Sequence, residues 1–203
     1  MQNGTCHIVG AGDFDPSLLH RKEGDLLIAA DAGYALLSQY RILPDLYLGD
    51  GDSLGFVPND VPAVVLPKVK DDTDTVAAAK EGLVRSYRRF AIYGALGGSR
   101  FSHSLANLQV LSFLADHGAQ GVIYDKACSI RLLLTGKHTF SFEGGFFSLF
   151  CEGDSAELSV LGARYPLQHA VMTSRFPLGV SNEGIGKTCI QVHRGRLFLV
   201  REA

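Results

Sequence analysis

The feature that most constrains this chain is an alternation that stops two-thirds of the way along it. Six short apolar runs, Cys6–Val9, Leu26–Ala30, Leu46–Leu48, Ala63–Leu66, Phe90–Tyr93 and Gly121–Tyr124, are each bounded by Gly, Pro or Asp. Runs of that length read as buried strands. Helical stretches separate them. Asp72 or Thr73 caps one, with Val76, Ala79, Leu83 and Tyr87 as its apolar stripe. A second runs from about Ser104 to His117, with Leu105, Leu108, Leu111 and Leu114 inward. Strands alternating with helices predict βαβ units and a mostly parallel, Rossmann-like sheet.

After about Thr135 the helices disappear. His138–Phe142, Phe146–Cys151, Ala156–Val160, His169–Thr173, Cys189–His193 and Leu197–Arg201 read as short strands. Gly144-Gly145, Gly153-Asp154 and Arg194-Gly195 read as turns between them. The fold class expected is α/β: an α/β domain over residues 1–135, then a small all-β sandwich or barrel over 136–203. The second part is thin for an independent fold and is expected to lean on the first domain or on a second copy. Phe146, Phe147, Leu149 and Phe150 are the expected apolar face for that partner.

Composition narrows the function. The 203 residues are 46% hydrophobic and 20% charged, with a net charge of −2. Such a chain is globular and has no global field for gathering nucleic acid. A phosphate ligand has to be handled locally. Cys6, Cys128, Cys151 and Cys189 form no C-x-x-C pair and sit mostly in apolar runs, which reads as a reducing compartment. Met1–Gly10 lacks a basic n-region, and no apolar run is long enough to span a bilayer. The expectation is a cytoplasmic protein with no membrane partner.

Three successive strands end in carboxylates. Asp31 closes Leu26–Ala30, Asp50-Gly51-Asp52-Ser53 follows Leu46–Leu48, and Asp71, Asp72 and Asp74 follow Ala63–Leu66. In an open parallel sheet these ends face the ligand crevice. Hard oxygens there suit Mg²⁺ bridging phosphates. Solvated turns and helix caps are the alternative, and for Asp72 the N-cap reading is preferred. Gly94–His103 is a glycine-rich lead into the second helix, where Gly97, Gly98 and Arg100 suit a phosphate. Read alone it is equally a tight turn with a surface Arg, His103 is a helix-start residue without chemistry, and Val9-Gly10-Ala11-Gly12 is as ambiguous.

Taken in order, these segments resemble thiamine pyrophosphokinases. The resemblance rests on Ala30–Gly33, Asp45–Ser53, Lys70 with Thr73-Asp74, Gly94–Asn107, Gly162–Leu167 and Leu178–Glu183, and so covers nearly the whole chain. It implies transfer of a pyrophosphoryl group from ATP to the hydroxyethyl oxygen of thiamine, with release of AMP. It also implies Mg²⁺, a nucleotide-binding α/β domain followed by a β-sandwich, and a homodimer with thiamine near the subunit interface. Carried over by motif, Asp31, Asp50, Asp52 and Asp74 are metal and phosphate positions. Asp31, Gly97, Gly98, Arg100, His103 and Asn107 face ATP, Lys70 and Arg100 neutralise phosphate charge, and Ser181 and Asn182 help form the thiamine pocket. The chain departs from the family pattern at Gly51, where a Phe is usual, at Ser99, which intervenes before Arg100, and at Ser102, where an Asp is usual. Another Mg²⁺-dependent nucleotide transferase or hydrolase, or a non-catalytic nucleotide or thiamine binder, is the alternative.

Overall fold

The computed structural model describes residues 4–69, 71–98, 100–142 and 144–202. Lys70 and Ser99, both singled out from the sequence, lie outside the described residues. The fold is mixed α/β, and the chain divides into two compact units, Met1–Lys126 and Ala127–Ala203.

The first unit is built on six parallel strands, β1 (Cys6–Val9), β2 (Leu26–Ala30), β3 (Leu46–Gly49), β4 (Ala63–Val65), β5 (Arg89–Tyr93) and β6 (Gln120–Tyr124). Their order is β4-β3-β2-β1-β5-β6. β1, β2 and β3 are buried along their whole length, as continuous apolar runs covered on both faces must be. β4 is the exposed edge. Parallel neighbours need crossovers, which include α1 (Gly33–Gln39), α2 (Asp74–Val84) and α3 (Phe101–Asp116). β1 has β2 on one side and β5 on the other, so the chain reverses its winding there. A crevice opens outside the carboxyl ends of strands at such a reversal.

The sequence does not announce α1. Its N-cap is Ala32, with no capping side chain. Gly33 is required there, because a Cβ on it would stand 1.9 Å from Val9 O. Leu37 of α1 packs with Val9, Leu27, Ala29, Ala91 and Tyr93. α2 and α3 form where predicted, but their buried faces are rotated. α2 buries Thr75, Ala77, Ala78, Ala79 and Gly82 in place of Val76 and Leu83. Small residues bring it close to the sheet, and a Cβ on Gly82 would meet the Phe90 ring at 2.6 Å. α3 starts at Phe101, three residues before the expected Ser104, and buries Ser104, Asn107, Val110, Leu111 and Leu114, while Leu105 is exposed.

The second unit is antiparallel: β7 (Cys128–Leu133), β8 (Gly136–Phe142), β9 (Phe146–Ala163), β10 (Leu167–Thr173) and β11 (Gly179–Glu202). β7 pairs with β11 and so belongs here, although the sequence reading ends the first domain at 135. β11 pairs with β7, β8 and β9, and β9 also pairs with β10. Gly153-Asp154 and Arg194-Gly195 are not the turns expected. They are bends inside β9 and β11, which run through them. The register moves from Arg194↔Glu157 to Arg196↔Glu152 across the bend. Gly153 and Gly195 both take a left-handed backbone there (φ 88° and 83°). Each long strand thereby coils and packs both halves onto one core, formed by Phe147, Leu149, Leu158, Val160, Ile190, Val192, Leu197 and Leu199 among others. Phe147 and Leu149 are therefore core, and only Phe146 and Phe150 of the expected apolar face are exposed. All four cysteines are free thiols. Among the described residues, no helix is long and apolar enough to cross a membrane.

Candidate active site

The carboxyl ends of β2 and β3 bring three aspartates together. Asp31 follows β2 directly, and its N–H donates to Leu48 O at 2.8 Å, extending the ladder by one residue. It holds a left-handed backbone (φ 48°), uncommon for a non-glycine residue, and is only 6% exposed. Its Oδ1 is buried without a hydrogen-bond partner. Asp50 and Asp52 flank Gly51 on the turn after β3. The Asp52 N–H donates to Asp50 Oδ1 at 3.1 Å, and Gly55 N–H closes the turn on Gly51 O at 2.9 Å. Gly51 has φ 76°, and a Cβ there would lie 3.0 Å from Phe56 O. Glycine is what this tight turn accepts.

One carboxylate oxygen from each of Asp31, Asp50 and Asp52 lies within 4.8 Å of the others. Three anionic oxygens that close repel one another. An oxygen-only donor set with an unmet buried oxygen fits a hard divalent cation such as Mg²⁺. Asp74 is the first residue of α2 and lines the same crevice, outside that three-residue group. The preferred N-cap reading for Asp72 does not hold. Thr73 is the cap, its Oγ1 accepting from Val76 N–H at 3.3 Å, while Asp72 pairs with Lys80 Nζ at 2.6 Å.

The opposite wall comes from β1 and β5. The crevice has a volume of about 480 Å³ and is lined by Gly10–Gly12, the aspartates, Gly97, Gly98, Arg100, His103 and Asn107. The two glycine-rich loops do different work. After β1, Gly10 donates to Tyr93 O (2.8 Å), Gly12 to Gly94 O (2.7 Å) and Asp13 to Leu96 O (2.8 Å). Those amides continue the β1–β5 ladder and are spent. After β5, Gly97 and Gly98 both adopt φ 72°, and Arg100 is the N-cap of α3 without a side-chain cap bond. A helix start has free amides and a positive dipole end. Asn107 Nδ2 donates to Ala95 O at 2.7 Å, so this amide pins the loop from inside α3.

Tyr47 escapes the sequence reading, which registers it only as a strand residue. Its side chain is fully buried. Burial first, then the charge of Asp31, pushes its hydroxyl up to about 12. The only sequence signal is a phenol in an aliphatic strand just before a cluster of carboxylates.

Ser181 and Asn182 stand in the second unit and are not among the crevice residues. Ser181 takes a left-handed backbone (φ 58°), and its N–H donates to Ser148 Oγ at 3.0 Å. Asn182 is buried. Its Oδ1 accepts from Tyr165 N–H (3.1 Å) and Glu183 N–H (2.9 Å), and its Nδ2 donates to Tyr165 O (2.7 Å). Arg164 and Glu183 form an ion pair at 2.8 Å beside it.

Residues 19–123, just over half the chain, match the family described as thiamin pyrophosphokinase, catalytic domain. The thiamine pyrophosphokinase of Bacillus subtilis is 28% identical over 211 residues, covering 97% of this chain and 98% of that protein. A crystal structure of thiamine pyrophosphokinase from Bacillus subtilis superposes with a TM-score of 0.87 at 24% identity, over 98% of this chain and 99% of that one. The thiamin pyrophosphokinase of Geobacillus thermodenitrificans gives 0.84 at 23%, over 98% and 97%. Yeast thiamin pyrophosphokinase gives 0.79 at 16%, over 99% and 86%. At these identities the solved structures establish a shared fold, and the matched family adds the chemistry: the chain belongs to the thiamin pyrophosphokinase family of enzymes.

Proposed function

We propose that this chain transfers the pyrophosphoryl group of ATP to the hydroxyethyl oxygen of thiamine, giving thiamine diphosphate and AMP. The observation that carries this reading is the convergence of Asp31, Asp50 and Asp52 at the carboxyl ends of two adjacent strands. Asp31, Asp50 and Asp52 would hold Mg²⁺, which when bound neutralises phosphate charge. Asp74 either adds an oxygen or takes the alcohol proton, and its place outside the three-oxygen group favours the second role. Arg100, with Lys70, neutralises the phosphates. Gly97, Gly98, His103 and Asn107 line the nucleotide side, where Asn107 keeps the glycine loop open through Ala95 O. The attacked atom is the β-phosphorus, since the product carries two phosphates. Most of the rate enhancement in such a transfer comes from positioning and charge neutralisation.

On this reading Met1–Lys126 forms the catalytic domain, and Ala127–Ala203, a β-sandwich, provides the thiamine side and the dimer contact. Ser181 reaches thiamine, and Asn182 shapes that pocket by holding Tyr165. The enzyme works in the cytoplasm as a homodimer. Incubation with Mg²⁺, ATP and thiamine tests the reaction: AMP and thiamine diphosphate in equal amounts are the expected products. Thiamine-independent ATP hydrolysis, or binding without turnover, overturns it.

A further inference from the structure

The loops after β1 and β5 meet at a carboxylate outside the acidic cluster. Asp13 follows Gly12, the last residue of the β1 loop that lines the crevice. Its N–H donates to Leu96 O at 2.8 Å, and Gly12 N–H donates to Gly94 O at 2.7 Å. Those two bonds fix the Asp13 backbone to the loop after β5. Its side chain lies against Gly97, which lines the crevice. A Cβ on Gly97 would stand 2.1 Å from Asp13 Oδ2, 2.5 Å from Cγ and 3.1 Å from Oδ1. Any side chain at residue 97 would therefore expel the carboxylate, and glycine seats it. The seat is a Cα, which offers no N–H or O–H. Among the described residues, no hydrogen bond or ion pair engages the Asp13 carboxylate, and the residue is exposed. Asp15, two residues on, differs: its Oδ1 accepts from the Ser17 N–H at 2.9 Å and from the Ser17 hydroxyl at 2.7 Å. Asp15 caps a turn, whereas Asp13 keeps its full acceptor capacity beside the crevice.

We propose that Asp13 recognises the ribose of the nucleotide, its two oxygens accepting from the 2′- and 3′-hydroxyls. This rests on the reading that the crevice holds ATP. The phosphates do not take the place beside Asp13, because two anions side by side repel each other. The cation at Asp31, Asp50 and Asp52 and the guanidinium of Arg100 draw them instead. The nucleoside is what remains for the Gly97 side. Of its parts, the vicinal diol presents two hydroxyl donors that one carboxylate can accept together, and acids beside nucleotide crevices serve ribose hydroxyls in dinucleotide-binding folds. The adenine amino group offers a single nitrogen.

Steady-state kinetics with Mg²⁺, thiamine and one of ATP, 2′-deoxy-ATP, 3′-deoxy-ATP or ITP test it on the wild type, Asp13→Asn and Asp13→Ala. Both variants keep the backbone bond to Leu96 O and change only an exposed group. The wild type should lose about tenfold or more in kcat/KM with each deoxynucleotide, the scale of one hydrogen bond to a charged acceptor. Asp13→Ala should lower the ATP value by at least as much, and the deoxynucleotide values by clearly less, because part of the interaction is already gone from them. The ratio of ITP to ATP should be the same in all three enzymes. A merely structural aspartate predicts equal fold losses for all four nucleotides, and that result overturns the proposal. A wild type that does not discriminate against either deoxynucleotide overturns it too. So does an ITP to ATP ratio that changes with Asp13, which would assign the carboxylate to the base. These three outcomes leave the transferase reading standing. A wild type that makes no thiamine diphosphate and AMP from ATP overturns both. If neither variant folds, the wild-type deoxynucleotide ratios decide.

Discussion

Asn182 grips Tyr165 by both backbone polar groups, accepting from its N–H at 3.1 Å and donating to its carbonyl at 2.7 Å. A third bond, from Glu183 N–H at 2.9 Å, leaves little of this buried amide for a ligand. The asparagine acts by holding the Arg164–Tyr165 corner in place. Asn182→Ala should therefore lower the unfolding free energy by about 2 kcal/mol or more, since it strips partners from buried backbone groups. On the proposed function it should also raise the KM for thiamine well above any change in the KM for ATP. Urea unfolding and steady-state kinetics check the two halves. Unchanged stability with a raised thiamine KM would make Asn182 a direct ligand.

On β1 of the first unit, His7 Nε2 lies 3.1 Å from Asp25 Oδ2, and His7 Nδ1 lies 3.3 Å from the Tyr93 hydroxyl. Burial holds the His7 ring below its ordinary value of 6.5, against the raising effect of Asp25. Asp25 is itself buried enough to be raised, but the N–H groups of Thr5 and Lys22 and the His7 ring outweigh that and hold it below the usual carboxylate range. A lowered histidine means that the unfolded chain takes its proton first as the pH falls. The stability contributed by His7 is thus fully present above about pH 6.5 and is lost as the pH drops through the folded value. Urea midpoints should fall between about pH 8 and pH 5, and His7→Gln should flatten that slope. An equal slope in His7→Gln would place the pH dependence elsewhere.

Thr73 and Asp72 separate a cap from a surface pair. Thr73→Ala removes the acceptor for Val76 N–H and should cost about 1 kcal/mol. Asp72→Ala removes a half-exposed pair with Lys80 and should cost less than about 0.5 kcal/mol. Chemical denaturation of both variants distinguishes them, and the opposite ranking would return the cap to Asp72.

What could be read from the sequence follows from how local each signal is. β2 is legible to the residue because a parallel central strand is apolar on both faces and Asp ends it. The acidic strand ends are legible as a set for the same reason, since parallel strands deliver their carboxyl ends to one edge. The bends at Gly153 and Gly195 are not legible. A glycine that breaks an apolar run looks the same whether the chain reverses or coils onward, and only the partner strand, bending at the matching place, decides. α1 is invisible because it starts on Ala32 and Gly33, with no capping side chain. The rotated faces of α2 and α3 reflect close packing of small residues, which hydrophobic periodicity undercounts.

In β9 the side chains alternate, so Phe147 and Leu149 fill the core while Phe146 and Phe150 face outward, with Phe198 the cross-strand partner of Phe150. A two-fold contact would bury such a patch on both copies. Phe150→Asp is expected to shift sedimentation from dimer to monomer and to lower activity in parallel. A wild-type enzyme that is fully active as a monomer at assay concentration would sink the shared site.

The metal assignment stands or falls on Asp52. Asp52→Asn keeps the volume and the turn, because the Asp52 N–H that bonds Asp50 Oδ1 is unchanged, and it removes one negative oxygen from the three-residue cluster. Turnover should fall at least about a hundredfold, the scale of losing a principal electrostatic contact in the transition state. Stability without metal should hold steady or rise, because relief of like-charge repulsion among the aspartates favours the fold. Added Mg²⁺ should then protect the wild type against thermal unfolding far more than it protects the variant, since a ligand that binds only the folded state stabilises in proportion to its affinity. Near-normal turnover together with an unchanged Mg²⁺ shift in Asp52→Asn would show that this aspartate closes a turn and holds nothing.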